Sequence, residues 1–115
     1  MATLQNSTYF KIVSLGVETY DLIPFDINGN LFREITVDID TTGGAVTLNL
    51  PEIVDLPNYN LLIKVLRSNG GNNVVVTAAG SDKIGSAATV TLNAINKSVE
   101  VSPVGAINWY GVITA

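Results

Sequence analysis

The residues of this chain best suited to chemistry are two carboxylates in the segment Asp38-Ile39-Asp40-Thr41-Thr42-Gly43. Oxygen ligands at alternate positions followed by a glycine turn are how a calcium loop begins, because a hard cation takes several oxygens at once. The twelfth position of such a loop falls on Asn49, which cannot supply the closing bidentate carboxylate and lies in an apparent strand. The same two acids, about 7 Å apart by strand rise, are also the residue types of glycoside hydrolysis, which needs a pair of acids flanking a bond in a cleft. Exposed acids on a strand equally deter edge-to-edge aggregation. The segment is read as an acidic strand end before a Gly-Gly turn, and no catalytic residue is assigned.

Other chemistries are excluded by composition. The 115 residues contain no Cys and no His, which removes disulfides, thiolate nucleophiles, imidazole bases and the commonest transition-metal ligands. No nucleophile–base pair is evident, so the chain is read as non-enzymatic, with no cofactor and no metal. The Gly-rich segments carry neither a Walker A sequence nor a dinucleotide fingerprint and are read as turns. A net charge of -4, with six Lys plus Arg spread along the chain, gives no basic stripe able to replace phosphate counterions, so nucleic-acid binding is not expected. No apolar run approaches the roughly 20 residues that span a bilayer, and no membrane insertion is expected. Met1 to Phe10 is polar and does not read as a secretory signal. Synthesis in a cytoplasm is the expectation, and the sequons at Asn6 and Asn96 are chance matches.

The aromatic residues Tyr9, Phe10, Tyr20, Phe25, Phe32, Tyr59, Trp109 and Tyr110 contain the makings of a sugar-stacking platform, but most are expected in core or interface. Trp109, with Ile107 and Gly111 on the same side of an apparent terminal strand, is read as a packing anchor.

The elements that must hold these residues are strands. Turn signals recur at Asn28-Gly29, Gly43-Gly44, Asn69 to Asn73, Gly80-Ser81-Asp82, Gly85-Ser86 and Asn96-Lys97, with apolar segments of strand length between them. Leu31, Arg33, Ile35, Val37 and Ile39 alternate with Phe32, Glu34, Thr36 and Asp38, with Arg33 the one intruder on the apolar face. Val46, Leu48 and Leu50 oppose Thr47 and Asn49, and Val90 and Leu92 oppose Thr89, Thr91 and Asn93. Leu61 to Leu66 and Val74 to Val76 are near-continuous apolar runs, as in strands buried on both faces, and the Asn/Gly-rich segment between them predicts a β-hairpin. Strands are further predicted over 87–95, 98–102 and 106–113, and Pro51 to Tyr59 reads as a covering loop or one helical turn. The fold expected is all-β, a single antiparallel β-sandwich or β-prism-like domain, with no amphipathic helix. Hydrophobic residues at 47% against 14% charged exceed what one small domain can bury, so part of the apolar surface should be covered by other subunits.

The order of elements from Thr42 to Thr114 is a Thr/Val/Leu strand ending in Leu50-Pro51, an apolar strand Ile63-Lys64-Val65-Leu66-Arg67, and an Asn/Gly turn. Then follow Val74-Val75-Val76-Thr77-Ala78, Asp82-Lys83-Ile84-Gly85, two short strands, and Gly105-Ala106-Ile107-Asn108-Trp109-Tyr110-Gly111-Val112-Ile113. This resembles the small β-domains of bacteriophage tail-fibre, tail-spike and head-fibre or capsid-decoration proteins. It departs from them in lacking a leading Ile before Val74 and in a shortened Asp82 to Gly85 segment. The resemblance implies a homotrimer packed about a threefold axis, a role as virion part or host-contact element, and no catalytic residues. It divides the chain into residues 1–40, strands and an anchor to the virion, and a fibre-type β-domain over 41–115. Ile63, Val65, Val74, Val76, Trp109 and Ile113 are the expected oligomer interface or core. The expected partners are other copies of the chain, capsid or neck proteins, and a host-surface glycan. The expected location is the virion, after assembly in the host cytoplasm. A carbohydrate-binding module or adhesin-like host-attachment domain is the alternative.

Overall fold

A computed structural model describes residues 7–114. The chain runs β1 (Ser7–Val13), β2 (Glu18–Asp21), β3 (Glu34–Asp40), β4 (Val46–Asn49), β5 (Leu62–Asn69), β6 (Val74–Thr77), β7 (Lys83–Ile84), β8 (Thr89–Leu92), β9 (Ser98–Gly105) and β10 (Asn108–Thr114). One sheet has the order β1-β3-β5-β9-β10-β7 and the other β2-β4-β6-β8. The all-β expectation holds, and among the described residues there is no α-helix.

The expected antiparallel sandwich is corrected. β1, β3 and β5 pair in parallel in one sheet, and β2, β4 and β6 pair in parallel in the other. The chain therefore winds as a β-solenoid of three coils, each crossing one sheet, turning a corner, and crossing the other. Glu18, Val46 and Val74 lie in register, 28 residues apart at each step. Among the described strands, antiparallel pairing enters at the end of the winding, where β8 lies against β6, β9 against β5, and β10 against β9; a single antiparallel bridge, Phe25–Leu31, also closes the first return.

The hairpin expected between β5 and β6 is likewise absent, because the two strands belong to different sheets. Its Asn/Gly segment is a corner. The hydrogen-bonding edges of β5 are taken by β3 and β9, and those of β6 by β4 and β8. Nor are these runs buried on both faces. Ile63, Val65, Val74 and Val76 point into the core, while Leu62, Lys64, Leu66 and Val75 are half-buried on the outer face.

Strand alternation builds the core. Ile35, Val37 and Ile39 stack on Ile63 and Val65, and Val46, Leu48 and Leu50 face them from the other sheet beside Val74 and Val76. Each such side chain, fully buried, contributes about 1.5–3 kcal/mol of transfer free energy. Arg33 does not intrude, since β3 begins one residue later and Arg33 is exposed. The return over 51–60 contains a single 3-10 turn, Ile53–Asp55, which drops Ile53 into the core. The buried Asp82 carboxylate accepts the Ile53 amide at 3.0 Å and ties this return to the closing part of the chain.

The corners stack as closely as the strands. Ser14 N donates to Asp40 O and Thr41 N donates to Asn69 O, so the ladders continue through the bends. Ser14 Oγ reaches Gly44 O at 2.9 Å, and Thr41 Oγ1 reaches Asn72 O at 2.6 Å. A Cβ on Gly43 would meet Ser14 O at 2.1 Å, and one on Gly70, where φ is +92°, would meet Thr42 N at 2.3 Å. Only glycine permits coils this close. The residue 40/41 boundary falls inside the second coil, and strands on either side of it share both sheets.

Candidate assembly surface

The two ends of the solenoid are built differently. At the far end, β8 and β9 lie antiparallel on β6 and β5 and cover the third coil. Their corner seats on the corner below, with Asn96 N donating to Arg67 O and Arg67 N donating to Lys97 O. Arg67 itself points into the core lane and is buried, its guanidinium donating to Gly70 O at 2.5 Å. A buried cation is tolerable only with such partners.

At the near end the first coil has no such cover among the described residues. β1 and β2 are the outermost strands of their sheets, each paired on one side only. Between them opens a cleft of about 290 Å³, lined by Phe10, Ile12, Tyr20, Leu22, Val37 and Leu48 among others. Val37 and Leu48 are core residues of the second coil, so the cleft is the open mouth of the hydrophobic core. Phe10 sits at its edge, 39% exposed, with its ring edge-on to Phe32 at 6.4 Å. Around the mouth Val13, Leu15, Val17 and Ile23 are exposed. Lining lanes that are purely aliphatic in the second coil are mixed here. Glu18 takes the position of Val46, and its carboxylate accepts from Leu15 N and the Tyr20 hydroxyl at 3.1 and 3.0 Å. That bond and the adjacent negative charge push the Tyr20 hydroxyl above its ordinary pKa.

The acids singled out by sequence lie on the outer face of β3. Asp38 accepts from the Tyr9 hydroxyl and forms an ion pair with Lys11 at 3.2 Å, both from the neighbouring β1. Burial works against its charge, but bonds from Ser68, Tyr9 and Lys11 outweigh this and hold its carboxyl below the usual carboxylate range. The same bond pushes Tyr9 upward. Asp40 accepts from Thr42 N and Thr42 Oγ1 at 2.9 and 2.5 Å, which lowers its pKa as well. The pair is committed to fastening β1 and the second corner. Among the described residues no group of three or more acidic, His or Cys side chains converges as a metal site would require.

Of the residues expected at an interface or in the core, Ile63, Val65, Val74, Val76 and Trp109 are fully buried within the single chain, and Ile113 is exposed. Trp109 lies on β10 between Ile84 and Pro103 in the sheet, and its indole N–H has no hydrogen-bond partner among the described residues. Exposed aromatic rings are dispersed: Tyr9 is on β1 at one edge of the six-stranded sheet and Tyr110 on β10 toward the other. The open mouth was not found by sequence reasoning. Its signal was the 28-residue spacing of Ile35-Thr36-Val37 and Ile63-Lys64-Val65, repeated in Val46 and Val74, which marks coils and hence a first coil. No protein-family model matches the chain, and no curated protein is significantly similar to it.

Proposed function

We propose that this chain is a non-enzymatic structural component that works by assembly, as a head-fibre, capsid-decoration or tail-fibre part of a phage virion. The observation that carries the assembly reading is the open first coil, where, among the described residues, two strand edges and the mouth of the core are uncovered together. Unpaired strand edges are templates for further pairing, and contiguous exposed apolar surface marks an interaction site. The virion setting rests on the resemblance of the segment from Thr42 to Thr114 to fibre-type β-domains, which implies a threefold contact among subunits. Capsid or neck proteins are then the partners that a decoration or fibre part docks to.

Light scattering across a dilution series tests the assembly reading. A homo-oligomer whose mass resists dilution is expected, and a monomer at every concentration overturns it. Co-sedimentation with purified virions tests the setting.

A further inference from the structure

We propose that two copies of the chain join open end to open end, β1 of each pairing antiparallel with β2 of the other, with Lys11 opposite Asp21 of the partner copy. The inference rests on the assembly reading above and names its contact surface.

The geometry is one the chain already uses on itself. At the far end, the path β8–corner–β9 covers the path β5–corner–β6, corner over corner, with strand directions reversed in both sheets. That arrangement relates the cover to the coil beneath by a rotation of about 180° around the strand direction, carrying β5 onto β8 and β6 onto β9. The first coil has the same path, β1–corner–β2, and its outer edges are free among the described residues. A second copy turned by the same operation sets its β2 beside β1 and its β1 beside β2. The contact is isologous and closes on itself.

Side-chain parity and charge select the register. Opposed residues in an antiparallel pair share a face, so the outward Lys11 must meet an outward residue of the partner's β2, Thr19 or Asp21. Asp21 is half of the available negative charge on that strand and its carboxylate is held on the outer face by Asn49 Nδ2 at 2.8 Å. Lys11 opposite the partner's Asp21 then sets Phe10 against the partner's Leu22 and Ile12 against the partner's Tyr20, all cleft-lining residues. The four pairs from Lys11 to Ser14 occur twice by symmetry. At about one bond per pair, this gives about eight backbone hydrogen bonds, within the range of an ordinary interface. The occupant must supply strands at both sheet levels at once, which a coil of this chain does and a single extended peptide does not.

The test is the dissociation constant of the intact chain by analytical ultracentrifugation, for wild type, Asp21→Lys, Asp21→Lys with Lys11→Asp, and Phe10→Asp, each checked for folding by circular dichroism. Wild type is expected at an even number of chains: two, or six if a threefold contact is also present. Asp21→Lys places like charges opposite each other twice per dimer and is expected to weaken association about tenfold or more. The double reversal recovers part of that loss, the remainder reflecting the Lys11–Asp38 ion pair that Lys11→Asp removes within each chain, and Phe10→Asp abolishes the contact. An odd-numbered assembly, or an even one indifferent to both Asp21→Lys and Phe10→Asp, overturns this contact while leaving the assembly reading standing. A wild-type monomer at every concentration overturns both.

Discussion

Replacing Gly70 by Ala, with Gly71→Ala as its neighbour control, tests whether corner-to-corner stacking holds the coils together. Gly70 has φ +92°, and a Cβ there would lie 2.3 Å from Thr42 N, 2.4 Å from Thr41 C and 2.7 Å from Thr41 Oγ1. The first two are backbone atoms of the coil below and cannot swing aside. Reaching ordinary contact at 3.4 Å or more requires the second and third corners to part by about 1 Å. A separation of that size breaks hydrogen bonds of ordinary length, and the bonds at risk are Thr41 N to Asn69 O at 2.9 Å, Thr41 Oγ1 to Asn72 O at 2.6 Å and Asn72 Nδ2 to Thr41 O at 2.8 Å. The left-handed backbone costs an L residue about 1–2 kcal/mol, and losing two bonds adds about 1 kcal/mol each. The expected loss is about 3–4 kcal/mol, or a fall in Tm of roughly 12–16 °C for a domain of this size. A Cβ on Gly71 would meet nothing within 4 Å among the described residues, and φ there is not positive, so Gly71→Ala should be neutral or stabilising by up to about 1 kcal/mol. Urea unfolding of both variants measures the difference. Equal effects, or a Gly70→Ala loss under about 1 kcal/mol, would refute the claim that this corner is closely stacked.

Two further outcomes follow from named contacts. Trp109→Ala should cost about 3–5 kcal/mol as a core truncation. Trp109→Phe should cost under about 1.5 kcal/mol, because it also removes a buried donor whose unmet bond penalises the native state by about 1–3 kcal/mol. Matching denaturation midpoints for the two variants would contradict this. Asp38 and Asp40 have folded pKa values below their unfolded value of about 3.9. Their contribution to stability is therefore present above that pH and lost as pH falls through the lower folded values. Tyr9→Phe removes one bond that lowers Asp38, so its acid unfolding should begin at a higher pH than that of wild type. Superimposable acid profiles by tryptophan fluorescence would count against the Tyr9–Asp38 contact.

The strands were legible in the sequence because alternation is a local property. Ile35-Thr36-Val37-Asp38-Ile39 and Val46-Thr47-Leu48-Asn49-Leu50 announce an inward and an outward face without reference to the rest of the chain. Their winding was not legible. An Asn/Gly segment of five residues between apolar runs has the same composition whether it closes a hairpin or turns a corner between sheets, and the edges already taken by β3, β4, β8 and β9 decide the matter. The 28-residue period was hidden in the first coil, where Thr8, Phe10, Glu18 and Tyr20 stand in lanes held by Ile35, Val37, Val46 and Leu48 one coil later. The intervening returns share no pattern either, one turning on Asp26 and Gly29 and the other on a 3-10 turn. Ile63, Val65, Val74 and Val76 could be named as core or interface from hydrophobicity alone, but separating the two needed the coil order.

That degenerate first coil bears on why one end of the solenoid is closed and the other, among the described residues, is not. A parallel coil can extend as long as another coil covers it, and every termination exposes two strand edges and the lane between the sheets. At the third coil this chain closes the lane with β8 and β9 and fills it with Val99, Val101 and Leu92. At the first coil it instead dilutes the lane, with Thr8 and Glu18 in place of aliphatic residues and a tyrosine whose hydroxyl is satisfied by Glu18. Phe10, Ile12 and Leu22 keep apolar surface at the same mouth. A wholly aliphatic lane left open would drive indiscriminate association at about 25 cal/mol for each Å² exposed, and a wholly polar one would give a partner nothing to bury. The mixture is what the proposed end-to-end contact needs of a surface that stands in water before pairing, and in that contact the charges at Lys11 and Asp21 would add selectivity that hydrophobicity alone does not supply.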